Sequence, residues 1–140
     1  MILFVDDSDD MGHFVKGLED LGIRVEWASN FYDAIDSLDD DPGEDAYSAV
    51  VLDLAMSSRG LPDEAMELAD QVFSGWAFYK CVLKHYPRLQ ENTIFLSGSP
   101  ENFMERVGDE IYRDLNVVTK GYNDIDSVAE ILSRLNIYIG

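Results

Sequence analysis

The sequence holds a single cysteine, Cys81, so no disulfide can close within the chain. Its two histidines, His13 and His85, stand at no zinc-like spacing from that thiol, and all three residues are read as packing or surface positions. Basic residues are scarce: 10 Lys and Arg face 28 acids, for a formal net charge of -18. No face of such a chain can neutralise a run of phosphates, which argues against direct nucleic-acid binding. Also missing are an apolar run long enough to span a membrane and a basic-then-apolar leader, so no membrane association is expected. With the lone thiol, this points to a reducing cytoplasm. There is no repeat, no low-complexity tract and no dividing linker, and 140 residues therefore read as one domain, 1–140.

What is present is an ordinary core composition, 46% hydrophobic and 11% aromatic, arranged in alternating patterns. The apolar run at residues 2–5 precedes Met11, Phe14, Val15, Leu18 and Leu21 at helical spacing, which Gly22 stops. "IRVEWA" alternates as a strand does, and Phe31, Ala34, Ile35 and Leu38 mark a second helix face. "DDDPGED", residues 39–45, reads as an acidic turn. Then come the strand "AVVLD", a helical stretch from about Glu64 to Tyr86, the strand "TIFLS", a helix from about Pro100, the strand "NVVTK" and a last helix carrying Ile125, Val128, Ile131, Leu132 and Leu135. Five strands alternating with five helical segments predict an α/β doubly wound parallel sheet. The flavodoxin-like order 2-1-3-4-5 is taken from known sheets of this kind rather than derived from the residues.

In that order the C-terminal ends of strands 1, 3, 4 and 5 lie side by side. They carry Asp6 and Asp7, Asp53, Ser97 and Lys120. Adjacent buried acids repel one another and resist desolvation, so the "FVDD" ending calls for a positive partner. Three carboxylates suit a hard divalent cation such as Mg2+. Asp53, on the central strand, is placed to act as a nucleophile toward phosphorus, with Ser97 as a hydrogen-bond donor and Lys120 as a point charge. Taken singly, each residue has a duller use: Asp6 to Asp10 as helix-capping acids, Asp53 as a turn former, Ser97 as an N-cap, Lys120 as a solvated lysine. Only a joint site explains their shared edge.

"FVDD", "VVLDLAM", "FLSGSPE" and "VVTKGYNDID", in this order over nearly the whole chain, resemble the response-regulator receiver domain of two-component signalling. The resemblance implies that Asp53 is the phosphorylated residue, that Asp6, Asp7, Asp53 and the backbone carbonyl of Ala55 hold Mg2+, and that Ser97 and Lys120 are the switch hydroxyl and phosphate-binding lysine. It implies a histidine kinase or histidine phosphotransfer protein as donor, a downstream effector of unknown identity, and a monomer or weak homodimer. Small Ala55 and Ser99 beside the site predict easy access for water and a short-lived phosphoryl group. With only Met1 before the first strand, nothing is expected to precede it. Whether the chain acts alone or is cut from a longer protein is left open.

Three departures stand out. Gly121 follows Lys120 where receivers usually carry a proline, which predicts a looser lysine loop. Val117 takes a place where many members have an aromatic switch residue; Tyr122 is a nearby substitute. Residues 57–74, "SSRGLPDEAMELADQVFS", lengthen the connection before Gly75 by about a dozen residues relative to ordinary loops. Ala65, Leu68, Ala69, Val72, Phe73 and Trp76 at helical spacing predict a partly helical insertion, either a lid or docking element or a tolerated surface addition. Two rival readings share parts of the pattern. A haloacid-dehalogenase-type phosphatase would use "DSD", residues 7–9, but leaves Asp53 idle. A pseudo-receiver would bind a partner without phosphate.

Overall fold

The computed structural model describes residues 1–41 and 45–137. The middle of the acidic 39–45 stretch, residues 42–44, and the last three residues of the chain, 138–140, lie outside the described residues. Five strands, β1 (Ile2–Val5), β2 (Val25–Ala28), β3 (Ala49–Asp53), β4 (Thr93–Ser97) and β5 (Asn116–Thr119), form one sheet in the order β2-β1-β3-β4-β5. Every pairing is parallel. This is the flavodoxin-like order expected by analogy with known sheets of this kind.

Near-continuous apolar strands make sense because both faces of the sheet are covered. On one face, α1 (Gly12–Asp20) and α8 (Asp124–Arg134) set Phe14, Leu18, Val128 and Leu132 against Ile2, Phe4, Val51, Ile94 and Leu96. On the other, α2 (Phe31–Asp39), α3 (Asp63–Gln71), α4 (Ser74–Cys81) and α6 (Pro100–Val107) pack Phe31, Ala65, Phe78 and Phe103 against Leu3, Val5, Leu52 and Phe95. The short α5 (Pro87–Glu91) and α7 (Asp109–Tyr112) complete the helices. Local signals act as their chemistry requires. Gly22 ends α1 at φ 85°, and Ile23 N–H reaches back to the Leu18 carbonyl at 3.1 Å. Asn30 caps α2 by accepting the Asp33 N–H at 2.7 Å.

The expected helical stretch from about Glu64 to Tyr86 is divided into α3, α4 and a 3-10 turn at Leu83–His85. The break has a steric cause. Gly75 approaches the end of β3 so closely that a Cβ there would lie 2.3 Å from the Asp53 carbonyl oxygen. Its N–H donates to the Leu54 carbonyl at 2.9 Å. Beside it the buried Ser74 hydroxyl donates to the Met56 carbonyl at 2.5 Å and accepts the Met56 N–H at 3.2 Å. The chain must turn inward at 72–75 to make these contacts, so α3 and α4 cannot be continuous. The helical part of residues 57–74 is as expected, with α3 spanning Asp63–Gln71. Five expected helical segments become eight α-helices and two 3-10 turns among the described residues.

Candidate functional site

Strand register builds the site. β1 and β3 pair Val5 with Leu52, so the next residues, Asp6 and Asp53, emerge side by side. β4 and β5 pair Ser97 with Thr119, and Lys120 follows, its N–H donating to the Ser97 carbonyl at 2.8 Å. Oxygens of Asp6, Asp7 and Asp53 come within 4.8 Å of one another. The Lys120 ammonium lies 2.9 Å from Asp6 Oδ2 and 3.5 Å from Asp53 Oδ2, and donates to Ser8 Oγ at 3.3 Å.

Burial sets the electrostatics. Asp6 is fully buried and Asp53 is 5% exposed, whereas Asp7 is exposed. Burial, then the Asp6 charge, push the Asp53 carboxyl up from 3.8 to about 6, against the opposing pull of Lys120 and of the Ala55 N–H. That N–H donates to Asp53 Oδ1 at 3.2 Å. Burial also works against the Lys120 ammonium, yet its close pairing with the Asp6 and Asp53 carboxylates leaves it raised overall.

A divalent cation fits this donor set. Three carboxylates against one ammonium leave two formal negative charges with Asp53 ionised, and the oxygens are hard ligands. Asp6 Oδ2 is buried without an aligned hydrogen-bond partner; Lys120 meets it as an ion pair. Such an atom is short of a ligand.

The structure thus brings Asp6, Asp7, Asp53 and Lys120 together. Ser97 sits buried at the end of the neighbouring strand, where its Oγ accepts the Ser99 N–H at 3.1 Å rather than reaching the acids. Its own hydrogen is left free to donate. Ala55 and Ser99 are exposed beside the site. Val117 is half-buried on β5, and Tyr122 is 73% exposed.

The lysine loop is tied at Gly121. Gly121 adopts φ 84°, which proline cannot, and its N–H donates to Asp124 Oδ2 at 2.8 Å. Asp124 is buried, and its other oxygen accepts the Ile125 N–H at 2.9 Å. This residue escaped the sequence reading, as did the Trp27 indole, which donates to the Asp6 carbonyl at 2.8 Å, and Ser57, whose N–H donates to Asp7 Oδ2 at 3.1 Å. An acid opening the last helix is the one signal that could have drawn attention to Asp124. Nothing local marks Trp27 or Ser57, whose partners lie 21 and 50 positions away.

No protein-family model and no curated protein matches the chain. Solved structures do. The receiver domain of NtrX from Brucella abortus aligns with a TM-score of 0.67 at 20% identity, over 96% of both chains. The chemotaxis protein CheY4 of Vibrio cholerae gives 0.63 at 21%, over 95% of both. A BeF3-activated DrrB receiver domain gives 0.58 at 25%, over 96% of both. The chain therefore has the fold of a response-regulator receiver domain.

Proposed function

We propose that this chain is a phospho-accepting signalling receiver, with Asp53 as the acceptor. The observation that carries the reading is the burial of Asp53 and Asp6 side by side under one shared lysine, at the edge where such sheets bind ligands. In the reaction, a carboxylate oxygen of Asp53 attacks phosphorus and the phosphorus–nitrogen bond to a donor phosphohistidine breaks. The departing imidazole keeps the bonding electron pair and takes up a proton. The donor is a histidine kinase or a histidine phosphotransfer protein.

Asp6, Asp7, Asp53 and the Ala55 carbonyl would hold Mg2+, which when bound neutralises charge between the carboxylates and the phosphoryl oxygens. Lys120 already pairs with Asp53 and supplies a positive charge to the phosphoryl group. Ser97 turns its hydroxyl to donate to a phosphoryl oxygen. The product acts as a signal: nearly two added negative charges draw the Ser97 and Lys120 loops inward and shift a partner-binding surface. On this reading the chain catalyses only its own phosphorylation and dephosphorylation, works in the cytoplasm, and is a monomer or weak homodimer. No described helix is long and apolar enough to cross a membrane.

Intact-protein mass after incubation with acetyl phosphate and Mg2+ tests the reading. One phosphoryl adduct is expected, dependent on Mg2+ and absent in Asp53→Asn. With Ala55 and Ser99 exposed, it should decay well within hours at room temperature. An adduct that persists in Asp53→Asn moves the chemistry to the strand 1 acids. No adduct, together with no binding of beryllofluoride, leaves a phosphate-independent binding module.

A further inference from the structure

Residues 57–74 are fixed at both ends to the neighbourhood of the acids. At the start, Ser57 N–H holds Asp7 Oδ2 at 3.1 Å. At the end, Ser74 and Gly75 bond to Met56 and Leu54, directly after Asp53. Between these points α3 packs along α4, with Ala65 buried and Leu68 and Ala69 partly buried against the core, while the rest of the helix faces outward. Near its beginning, Lys84 pairs with Glu64 at 3.6 Å, with both side chains about half exposed, a contact worth little.

The C-terminus of α3 has an electrostatic need of its own. Asp63 and Glu64 in the first turn suit the helix dipole, but the last turn has no basic residue to meet the partial negative charge of its free carbonyls. The missing cation comes from α6. Arg106 Nη1 donates to the Gln71 carbonyl at 3.0 Å, and its guanidinium lies 6.0 Å from the centre of the Phe73 ring. Phe73 in turn meets Phe103 of α6 edge-on at 6.1 Å. The helix that meets the C-terminal end of α3 in this way is the one that begins at Pro100, immediately after Ser99. Ser99 is the residue whose N–H is held by Ser97 Oγ. If Ser97 rotates toward a group on Asp53, that bond is given up at the threshold of α6.

We propose that residues 57–74 form a strap that carries the state of the site to α3, with Arg106 as the positioning residue that clasps it to α6. Movement of α6 withdraws Arg106 from Gln71, and α3 loosens. The proposal rests on the receiver reading of Asp53 and deepens it by naming a responding element.

Hydrogen–deuterium exchange on the full chain in Mg2+, with and without beryllofluoride, tests it, with fluorine NMR as an independent measure of binding. In the unaltered chain, bound beryllofluoride should speed exchange across residues 63–74 by about fivefold to tenfold, the scale set by losing one charge-assisted cap. Arg106→Gln should exchange at the faster rate from the outset and respond little, while the bound fluorine signal persists. Arg106→Lys should restore part of the slow exchange. Bound beryllofluoride with no change at 63–74 would overturn the strap and leave the receiver reading standing. A full response retained in Arg106→Gln would also overturn it, since Arg106 would then be structural only. Absence of any bound signal removes the receiver reading and the strap with it.

Discussion

In the middle of β3, Val50, Val51 and Leu52 are completely buried among apolar side chains, whereas one residue further on a carboxylate is buried almost as deeply. β1 repeats the contrast, with Val5 fully buried and Asp6 next to it equally so. The strand centres gain by leaving water. The strand ends lose by it, because desolvation and mutual repulsion both oppose their charge. Register places the two ends together, so stability made in one half of the sheet supports an unfavourable arrangement in the other. That division is what the proposed cation and phosphoryl site requires.

Breaking the centre should have the largest effect. Phe95 is fully buried, with ring centres 5.1 Å from Tyr79, 5.5 Å from Phe103 and 6.0 Å from Trp76. Phe95→Ala should cost about 3–5 kcal/mol in urea denaturation, a large share of an ordinary domain's stability.

At the strand end the sign reverses. The folded chain raises the Asp53 carboxyl from 3.8 to about 6, so folding favours its protonated form. The resulting stability is fully present below pH 3.8 and is lost as pH rises through 6. Asp53→Asn keeps the neutral form at every pH. Without Mg2+ at pH 7.5 it should therefore be more stable than the unaltered chain by about 3 kcal/mol, a gap that shrinks below pH 6 and closes near pH 4. Mg2+ should narrow the gap by stabilising the unaltered chain more. A destabilised Asp53→Asn at pH 7.5 would show that Asp53 and Lys120 attract more than the buried acids repel.

The same contrast explains what could be read in advance. Runs such as "AVVLD" and "TIFLS" announce buried strands because burial on both faces needs unbroken apolar sequence, and their ends name Asp53 and Ser97. The strand order had to be borrowed, because periodicity does not say which strands are neighbours. The break between α3 and α4 was hidden, because the approach of Gly75 to the Asp53 carbonyl is a contact between distant backbones. Ser57, Trp27 and Arg106 act through single hydrogen bonds over 50, 21 and 35 positions, and no local pattern encodes them. The looser lysine loop was expected from Gly121 standing where the family usually has a proline; the structure instead ties the Gly121 N–H to the buried carboxylate of Asp124.

Gly121 supplies the smallest and most local comparison. At φ 84° it occupies a backbone region that costs a side-chain-bearing residue about 1 kcal/mol, and a Cβ there would meet nothing within 4 Å. Gly121→Ala should thus lose about 1 kcal/mol through the backbone alone, with the Asp124 bond kept. Gly121→Pro should lose more, because proline removes the N–H that Asp124 accepts and cannot reach a positive φ. Urea denaturation of the two variants separates the terms. If proline proved the milder change, the lysine loop would have a second low-energy path, and the present position of Lys120 between Asp6 and Asp53 would be one of two.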